Sequence, residues 1–506
     1  MRKGLVFWGA FLSGFALLAL ALIFMGREPE IRRLSGAIPP PPESAPSLYM
    51  EGEGKSLSFS LPPIPAEERL EIRPFLKSLE SLSPVLQSAR EAAVLVFRDE
   101  KGLQLFLTAK YPRDILKSLS AGKIPPLWKD RSPSLVLERQ EGPLFLLKGP
   151  FSPFPLTLSV DGGIVLIASS AENDLVMRGL LEKKSGGITF SRKTEEPWPN
   201  HFLVRDGGLV SRMALSRGIA VNPVQLEFAG AWREDEKGGR MKWVIGGLDA
   251  LLPPRMYKTL RPVSWEDRFV TPDPFLAGFG ANIPEGVARR IGIKELKGWA
   301  GKIGIQDRME DFLSGPLTVS LGGSSKLFVF SLPGLFLQLP DRGEEGMAFV
   351  SSFWNQEWGL LVPSVEPLEG FSSGGTASIP FSLLGAARPD MVWMGILDGE
   401  SLRPDRLSHI TEYIPALKET GGALFWMYLD TPRFGAALQN IARVGKSVES
   451  FGRSVGVDLR EMTDAAAELS RLGKVMAVVF TPERGMIEWE NLPSPEKRTP
   501  AGKNPQ

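Results

Sequence analysis

Three patterns of apolar and polar positions run along this chain, and each predicts a different kind of element. Residues 4–25 form one apolar run without any Asp, Glu, Lys or Arg. As a helix this run would be about 33 Å long, enough to cross a bilayer core of roughly 30 Å. The rest of the chain mixes stretches of period two with stretches of period 3.6, which predict strands and helices. The pattern therefore predicts a transmembrane anchor followed by an α+β fold.

The apolar run favours an uncleaved anchor over a cleaved secretory signal or a buried soluble helix. A secretory signal has a shorter apolar core with a small-x-small cleavage site close behind it. Here the triplet 19–21 lies inside the run, and the triplet 35–37 follows only after three arginines. Basic residues flank both sides, so their charges do not decide the orientation. Because the remainder is typical of an exported domain, we expect residues 1–3 in the cytoplasm and the bulk on the periplasmic side of a bacterial inner membrane.

Residues 26–54 are predicted to be a Pro-rich linker, and residues 493–506 a disordered tail. The linker is charged at first and then carries Pro39–Pro42, which favours polyproline II geometry and a semi-rigid spacer. A stalk that lifts the fold off the bilayer and an ordinary connector both fit this composition. The alternation in Lys55–Pro63 predicts a strand, and apolar residues spaced by three and four predict a helix over 72–91.

Two long series of elements recur in the same order, at an offset of about 225 residues. Residues 92–119 predict a strand, an Asp-Glu-Lys-Gly turn, a strand and a helix opened by Pro112. Residues 315–354 repeat this succession with a Gly-Gly-Ser-Ser turn and a helix after Pro340. The similarity predicts an internal duplication, although hairpins followed by helices also occur by chance in α+β chains.

The series continues with three further pairs of groups. These are a hairpin with a helix (155–181 and 374–414), a strand running into a helix (201–218 and 422–445) and a closing hairpin (224–248 and 474–492). Asp161-Gly162-Gly163 is a hairpin signal, and Pro432 suits the first turn of a helix. We therefore predict two modules, 55–262 and 263–492, each an antiparallel or mixed sheet with helices packed on it.

A single N-terminal anchor followed by duplicated hairpin–helix units resembles bacterial extracytoplasmic protein families of unknown function. The resemblance rests on this architecture and on turns such as Val160-Asp161-Gly162-Gly163. It implies a location and a fold, and it carries over no catalytic residues.

Composition removes several kinds of chemistry from consideration. The chain has no cysteine, which excludes disulfides, thiolate zinc sites, iron–sulfur clusters and a cysteine nucleophile. It has two histidines, His201 and His409, so few metal sites or general bases can be built. With 59 basic and 58 acidic residues, the net charge gives no electrostatic reason to expect nucleic acid as a partner.

Two serine motifs fit hydrolase signatures but lack the expected context. Ser372 lies in Gly370-Phe371-Ser372-Ser373-Gly374, with His409 as its candidate base, but no helical pattern follows as a nucleophile elbow requires. Ser120 and Lys123 fit SxxK, but they end a predicted helix instead of beginning one. We expect both to be turns without catalytic function.

Two glycine motifs are also incomplete. Arg443–Ser447 resembles the end of a phosphate-binding loop, but Asn440 stands where that loop needs glycine. Gly278 and Gly280 lack the third glycine of a dinucleotide fingerprint.

The remaining polar candidates have simple structural explanations. The adjacent acidic pairs Glu67/Glu68 and Glu344/Glu345 are typical of solvated helix faces. A hairpin turn accounts for Asp161, and we expect His201 and His409 to be structural. We therefore assign no catalytic, cofactor-binding or metal-binding residue.

The aromatic residues leave two interpretations open. They form pairs, namely Phe151/Phe154, Trp354/Trp358 and Phe425/Trp426. Core packing in a large α+β protein explains such pairs, and an apolar groove for a lipid, glycan or peptide would use them too.

The sequence as a whole favours a non-catalytic binding or scaffold protein of the bacterial envelope. Its expected partners are the lipid bilayer, through residues 4–25, and other envelope proteins. A carrier of a hydrophobic ligand between the two modules is the alternative, and a serine hydrolase is the weakest reading.

Overall fold

In a computed structural model of the chain, two compact units can be described, Met1–Pro253 and Pro254–Gln506. The described residues are 34, 38–42, 47–57, 82–99, 102–140, 144–149, 156–161, 163–183, 198–216, 221–235, 237–266, 268–284, 314–327, 330–358, 362, 364–378, 382–447 and 473–492. The two compact units are called unit 1 and unit 2.

Unit 1 is built on an antiparallel sheet. Its described strands are β1 (Ser47–Gly52), β2 (Glu91–Asp99), β3 (Gly102–Lys110), β4 (Val136–Arg139), β5 (Leu144–Lys148), β6 (Leu156–Asp161), β7 (Ile164–Ala168), β8 (Asn200–Arg205), β9 (Glu227–Glu234) and β10 (Gly238–Gly246). The order across the sheet is β4-β5-β6-β7-β3-β2-β1-β8-β9-β10. Strand β1 therefore lies in the interior of the sheet, between β2 and β8.

Short helices connect the strands of unit 1. They are α1 (Gly54–Leu57), α2 (Ser83–Gln87), α3 (Arg113–Ser120), α4 (Pro126–Arg131), α5 (Ala171–Lys183), α6 (Leu209–Ser216) and α7 (Leu248–Leu251). As the sequence predicts, α3 begins directly after Pro112 and β6–β7 is a hairpin that closes at Asp161 and Ile164.

The central strands of unit 1 are buried on both faces, which explains why β2 reads as a nearly continuous apolar run. One face buries a cluster that we call the Leu34 cluster. Its members are Leu34, Ile38, Tyr49, Ala93, Leu95, Phe97, Phe106, Leu166, Ala168, Met177, Leu203 and Ala229. Met177 belongs to α5, which packs on β6 and β7, so α5 covers this face of the sheet.

Unit 2 contains a second antiparallel sheet and a small ribbon. The described strands are β11 (Val270–Pro272), β12 (Phe275–Ile283), β13 (Gly315–Leu327), β14 (Phe330–Pro340), β15 (Glu366–Pro367), β16 (Ser373–Ser378), β17 (Ser382–Arg388), β18 (Met391–Ile396), β19 (Leu407–His409), β20 (Phe425–Asp430), β21 (Lys474–Thr481) and β22 (Arg484–Glu490). The sheet has the order β15-β16-β17-β18-β14-β13-β12-β20-β21-β22. The ribbon consists of β11 and β19.

The two sheets have the same strand order and the same connections. Strands β1 to β7 correspond to β12 to β18, and β8 to β10 correspond to β20 to β22. Helices also follow corresponding strands, since α3 and α4 follow β3, and α9 (Gly343–Ser352) with the π-helical turn Phe353–Trp358 follows β14. In the same way α6 follows β8, and α12 (Thr431–Ser447) follows β20.

The remaining helices of unit 2 are short. They are α8 (Pro254–Thr259), α10 (Ile410–Tyr413), α11 (Ala416–Glu419) and the 3₁₀ turns Gly399–Leu402 and Pro404–Arg406. On one part of the sheet, Phe349 and Trp354 pack from α9 and the π-helical turn onto β17 and β18. Elsewhere Trp265 and Phe269, from the segment before β12, share a cluster with Ile410 of α10.

The α+β class is confirmed, but several local predictions are wrong. The predicted strand Lys55–Pro63 begins in α1, and its later residues lie outside the described part. The helix predicted over 72–91 has only Ser83–Gln87 as helix among its described residues. Glu91, the last residue of the predicted helix, instead begins β2, because the pairing of β2 with β3 extends to Glu91 and Lys110.

The predicted turn at Gly322–Ser325 is a β-bulge within β13. The register between β13 and β14 shifts between Gly322 and Ser325, and pairing resumes as far as Leu327 and Phe330. A side chain at Gly322 would lie 2.6 Å from the carbonyl oxygen of Pro272, so only glycine allows this close approach. The glycines therefore serve a bend in a long strand instead of its end.

The predicted linker 26–54 extends too far along the chain, because Ser47–Gly52 within it forms β1, an interior strand of unit 1. The predicted anchor 4–25, the acidic pair Glu67/Glu68 and the tail 493–506 lie outside the described residues. Among the described residues, no helix is both long and apolar enough to cross a membrane.

Candidate functional site

A buried carboxylate fastens the segment before β1 to the sheet of unit 1. The backbone N–H of Leu34 donates to Oε1 of Glu51 over 2.9 Å, and the Tyr49 hydroxyl donates to Oε2 over 2.8 Å. The Thr108 hydroxyl, on β3, donates to the carbonyl oxygen of Leu34 over 3.4 Å. Glu51 is only 5% exposed, so these hydrogen bonds are needed to offset its loss of hydration. We call this arrangement the Glu51 clasp.

The Glu51 clasp changes the interpretation of the Pro-rich stretch. Leu34 and Ile38 are buried in the Leu34 cluster, and both precede Pro39–Pro42. The chain has therefore joined the fold of unit 1 before the prolines begin. Of the two alternatives for the prolines, a stalk between the apolar run and the folded part does not fit this arrangement.

Helix α5, which covers the Leu34 cluster, buries one charged residue and exposes two apolar ones. Its Asp174 is fully buried and accepts hydrogen bonds from the Ser159 hydroxyl (2.5 Å) and from Nε of Arg178 (2.7 Å). Its neighbours Leu175 and Val176 are 64% and 46% exposed. A surface helix normally presents the opposite arrangement, with apolar side chains inward and charges outward.

On the same side of α5, the next turn carries the half-buried Gly179 and Leu180. Gly179 and Leu180 follow Leu175 and Val176 by four positions each, so the four residues share one side of the helix. A Cβ added at Gly179 would meet no atom within 4 Å, which shows open space above it. We call these four residues the α5 surface, and it is the best candidate for a binding surface in unit 1.

A second carboxylate clasp lies in unit 2. Asp273, between β11 and β12, accepts hydrogen bonds from the Ser408 hydroxyl over 2.9 Å and from the Tyr413 hydroxyl. Burial, together with the hydrogen bond to Asp273, raises the pKa of Tyr413 to about 12. Tyr413 therefore stays protonated and remains a donor at neutral pH. The clasp ties the β11–β19 ribbon and α10 to the start of β12.

Tyr428 and Phe275 complete this region as an aromatic cluster. Phe275 stacks on Tyr428 with ring centroids 4.7 Å apart, and Tyr413 lies edge-on to both rings. Burial, and then the neighbouring Asp430, raise the pKa of Tyr428 above its ordinary value. Both hydroxyls are thus held in the neutral form, which suits hydrogen bonding and not nucleophilic attack.

A third carboxylate, Asp398, holds the bulge of β13. It accepts hydrogen bonds from the Lys326 backbone N–H (3.1 Å), the Ser324 hydroxyl (3.2 Å) and the Ser382 hydroxyl. The three donors come from β13 and from the start of β17, so Asp398 joins two strands of unit 2. Like Glu51 and Asp273, it is occupied in fastening one segment to another.

The residues considered for a serine hydrolase take structural roles among the described residues. Ser372 donates its backbone N–H to Ala387 and is followed by strand β16, where a nucleophile elbow would need a helix. His409 ends β19 and caps α10 together with Glu412. Within the part of the chain that the structure describes, no hydrogen bond joins Ser372 to His409.

The other motifs take the structural roles that their sequence context indicates. Ser120 is the last residue of α3, two positions before the left-handed Gly122. Arg443–Ser447 continues α12, which has Pro432 in its first turn. Glu344 and Glu345 are exposed in the first turn of α9, where acidic residues interact favourably with the helix dipole.

Gly280 has a packing role in β12. It lies opposite Trp426 of β20, and an added Cβ would come within 2.2 Å of the indole Nε1 and 2.9 Å of the Trp265 ring. Gly278 is similarly close to the ring of Phe275. These glycines give aromatic side chains access to the backbone of the sheet.

The remaining sequence candidates lie within the sheets and the core. Asp161 closes the β6–β7 hairpin, and His201 lies in β8 between β1 and β9. Trp354 and Trp426 are buried, so core packing accounts for them. The pair Phe151/Phe154 lies outside the described residues. Among the described residues, no group of three or more His, Cys, Asp or Glu could hold a metal ion.

Comparisons with known proteins give no family. No protein-family model matches the sequence. No curated protein matches it significantly. Among solved structures, crystal form I of TP0453 aligns with 44% of this chain and 81% of its own length, at 10% identity and a TM-score of 0.24. A similarity of this size carries no argument about fold or function.

Sequence reasoning did not find Glu51, Asp273 or Asp398. Each is an isolated acidic residue, and its donors lie up to 140 positions away, as with Tyr413 and Asp273. The α5 surface had a weak local signal, because Asp174 is followed directly by Leu175, Val176 and Met177. Which of these residues faces the sheet depends on how α5 docks, and this requires the tertiary structure.

Proposed function

We propose that this protein is a single-pass, membrane-anchored binding or scaffold protein of the bacterial envelope, with its folded part on the extracytoplasmic side. The observation that carries the proposal is the apolar run 4–25, which is long enough to span a bilayer and contains no charged residue. Leu34, in the core of unit 1, supports a close connection between this run and the fold.

The polar clusters support a role in binding over a role in catalysis. The carboxylates of Glu51, Asp273 and Asp398 accept hydrogen bonds that fasten segments of the chain, and the pKa of Tyr413 is raised away from neutrality. Groups poised for catalysis are instead tuned toward the working pH. The polar chemistry of the described residues thus serves the rigidity of the two units.

We also infer that the two units arose by duplication of one module. The common order of ten strands supports this, because one topology among the many available to ten strands rarely recurs by chance in neighbouring units. An alignment of relatives tests the inference. Higher sequence similarity between residues 91–246 and 315–490 in the relatives than in this chain supports the duplication. Relatives in which the strands of the two units no longer correspond contradict it.

Membrane fractionation of the full chain tests the anchor. Leu12→Arg with Leu17→Arg places two charges within the apolar run, at a cost of roughly 2.5–3.5 kcal/mol for each charge near the centre of a span. We expect the unaltered chain to stay in the membrane pellet after an alkaline wash and the double variant to be lost from it. Leu12→Ile with Leu17→Ile is the matched control, which keeps the hydropathy and should behave like the unaltered chain.

Protease added to intact spheroplasts tests the orientation of the same protein. Digestion of the folded part from outside supports the extracytoplasmic assignment, and full protection contradicts it. Recovery of the unaltered, intact chain in the soluble fraction would contradict the proposed anchor.

A further inference from the structure

The α5 surface and the start of the fold lie on the same face of the unit 1 sheet. Leu34 and Met177 belong to one buried cluster, and Met177 lies on the inner side of α5. The Glu51 clasp holds Leu34 in place through its backbone. Leu34, the first described residue of the chain, therefore lies on the side of the sheet that α5 covers.

Few residues separate Leu34 from the apolar run 4–25. Only residues 26–33 lie between Met25 and Leu34. Even fully extended, this piece of chain reaches about 30 Å. A chain anchored through residues 4–25 would thus hold the α5 side of unit 1 close to the bilayer, with no stalk between them.

The chemistry of the α5 surface fits a lipid interface. Leu175 and Val176 are exposed next to the buried Asp174, so α5 presents apolar side chains where a helix facing water would present polar ones. Apolar side chains of a helix that lies on a membrane bury about 5–10 Å into the boundary between headgroups and acyl chains. The exposed Glu172 on the same helix does not favour an anionic surface, so apolar burial is the driving force.

We propose that the α5 surface docks unit 1 onto the bilayer that holds residues 4–25. This proposal rests on the proposed anchor. It makes the protein a two-point membrane binder, in which the span tethers the chain and α5 sets the orientation of unit 1. The α5 surface would contact a zwitterionic lipid surface, and residues 26–33 set the largest distance between Leu34 and that bilayer.

The absence of cysteine from the chain gives a background-free test. Val176→Cys places a single thiol on the α5 surface, and Val210→Cys on α6 is the matched control. The two valines are 46% and 43% exposed, so both substitutions should leave the fold intact. Each full-length variant is labelled with an environment-sensitive fluorophore and reconstituted into phosphatidylcholine vesicles with and without doxyl-labelled lipid.

Flotation of the vesicles is measured first, because it tests the anchor independently of the docking. If the chain floats with the vesicles, we expect the doxyl lipid to quench the probe at position 176 at least about twofold more than the probe at position 210. Equal quenching at both positions, or none at position 176 in floated chain, overturns the docking proposal while the anchor stands. A chain that does not float overturns the anchor, and the docking proposal falls with it.

Discussion

The backbone N–H of Leu34 lies 2.9 Å from Oε1 of Glu51, and this hydrogen bond joins the start of the fold to an interior strand of unit 1. Leu34 precedes the four prolines and Glu51 follows them, so the clasp closes a loop of chain that contains the Pro-rich stretch. The prolines thereby become part of unit 1. The described part of unit 1 therefore begins at Leu34 and not after the proline run.

Replacing Glu51 should release Leu34. Glu51→Ala leaves the Leu34 N–H and the Tyr49 hydroxyl without this acceptor, and we expect the protein to lose about 2–3 kcal/mol of unfolding free energy. Trypsin cleavage between Arg33 and Leu34 should be faster in this variant, because the bond is cleaved only when Leu34 leaves the cluster. Both effects are measured on the full chain, by urea unfolding and by timed proteolysis.

Glu138→Ala is the control for Glu51→Ala. Glu138 forms an exposed ion pair with Lys148 at the edge of the same sheet, and its removal should cost less than about 1 kcal/mol. Cleavage after Arg33 at the same rate in both variants would contradict the Glu51 clasp.

Alkaline pH should weaken unit 2 through Tyr413. Its pKa is raised from 10.0 to about 12 by burial and by the hydrogen bond to Asp273, so the folded state holds this proton more tightly than the unfolded state. The stabilisation is fully present below pH 10 and is lost as the pH rises from 10 through 12. Tyr413→Phe removes the hydroxyl and should reduce the fall in stability over this window.

Absorbance of tyrosinate provides the direct measurement for Tyr413. The difference between the titration curves of the unaltered chain and of Tyr413→Phe should show one group ionising near pH 12. A difference curve centred at pH 10 would show that Tyr413 is not held by Asp273 in solution.

Two glycines should respond to alanine in opposite ways. At Gly280 an added methyl group would overlap the indole of Trp426 at 2.2 Å, and we expect a loss of about 1–3 kcal/mol from the displaced ring. At Gly179 an added methyl group meets open space on a helix, and we expect a gain of about 0.5–1 kcal/mol from the higher helix propensity of alanine. Thermal unfolding of both variants checks the signs, and a Gly280→Ala variant as stable as the unaltered chain would contradict the packing described for β12.

Asp398 should be essential for the bulge of β13. Asp398→Ala leaves the Lys326 N–H and the buried Ser382 hydroxyl without their acceptor, which should cost about 2–4 kcal/mol. Hydrogen exchange at the Lys326 amide should become faster in this variant. Asp405→Ala is the matched control, because Asp405 forms only an exposed ion pair with Arg403 and should leave that amide protected.

The α+β class and much of the strand content could be predicted because those signals are local. The turns at Asp99–Gly102 and Asp161–Gly163 join apolar strands, and prolines open α3 and α12, so adjacent residues contain the information. The order in which groups of elements recur was also visible, because hairpins and helices follow one another along the chain.

Tertiary structure decided the features that depend on distant partners. The glycines at 322 and 323 resemble a turn in isolation, but close approach to Pro272 and Pro274 makes them a bulge inside β13. The segment around Leu34 and Pro39–Pro42 resembles a linker, but Glu51 and Thr108 draw it into the core. The sequence by itself determined the apolar run 4–25 and the local elements, since both follow from neighbouring residues. The clasps and the outward side of α5 were decided only by folding, because each depends on contacts between residues far apart in the chain.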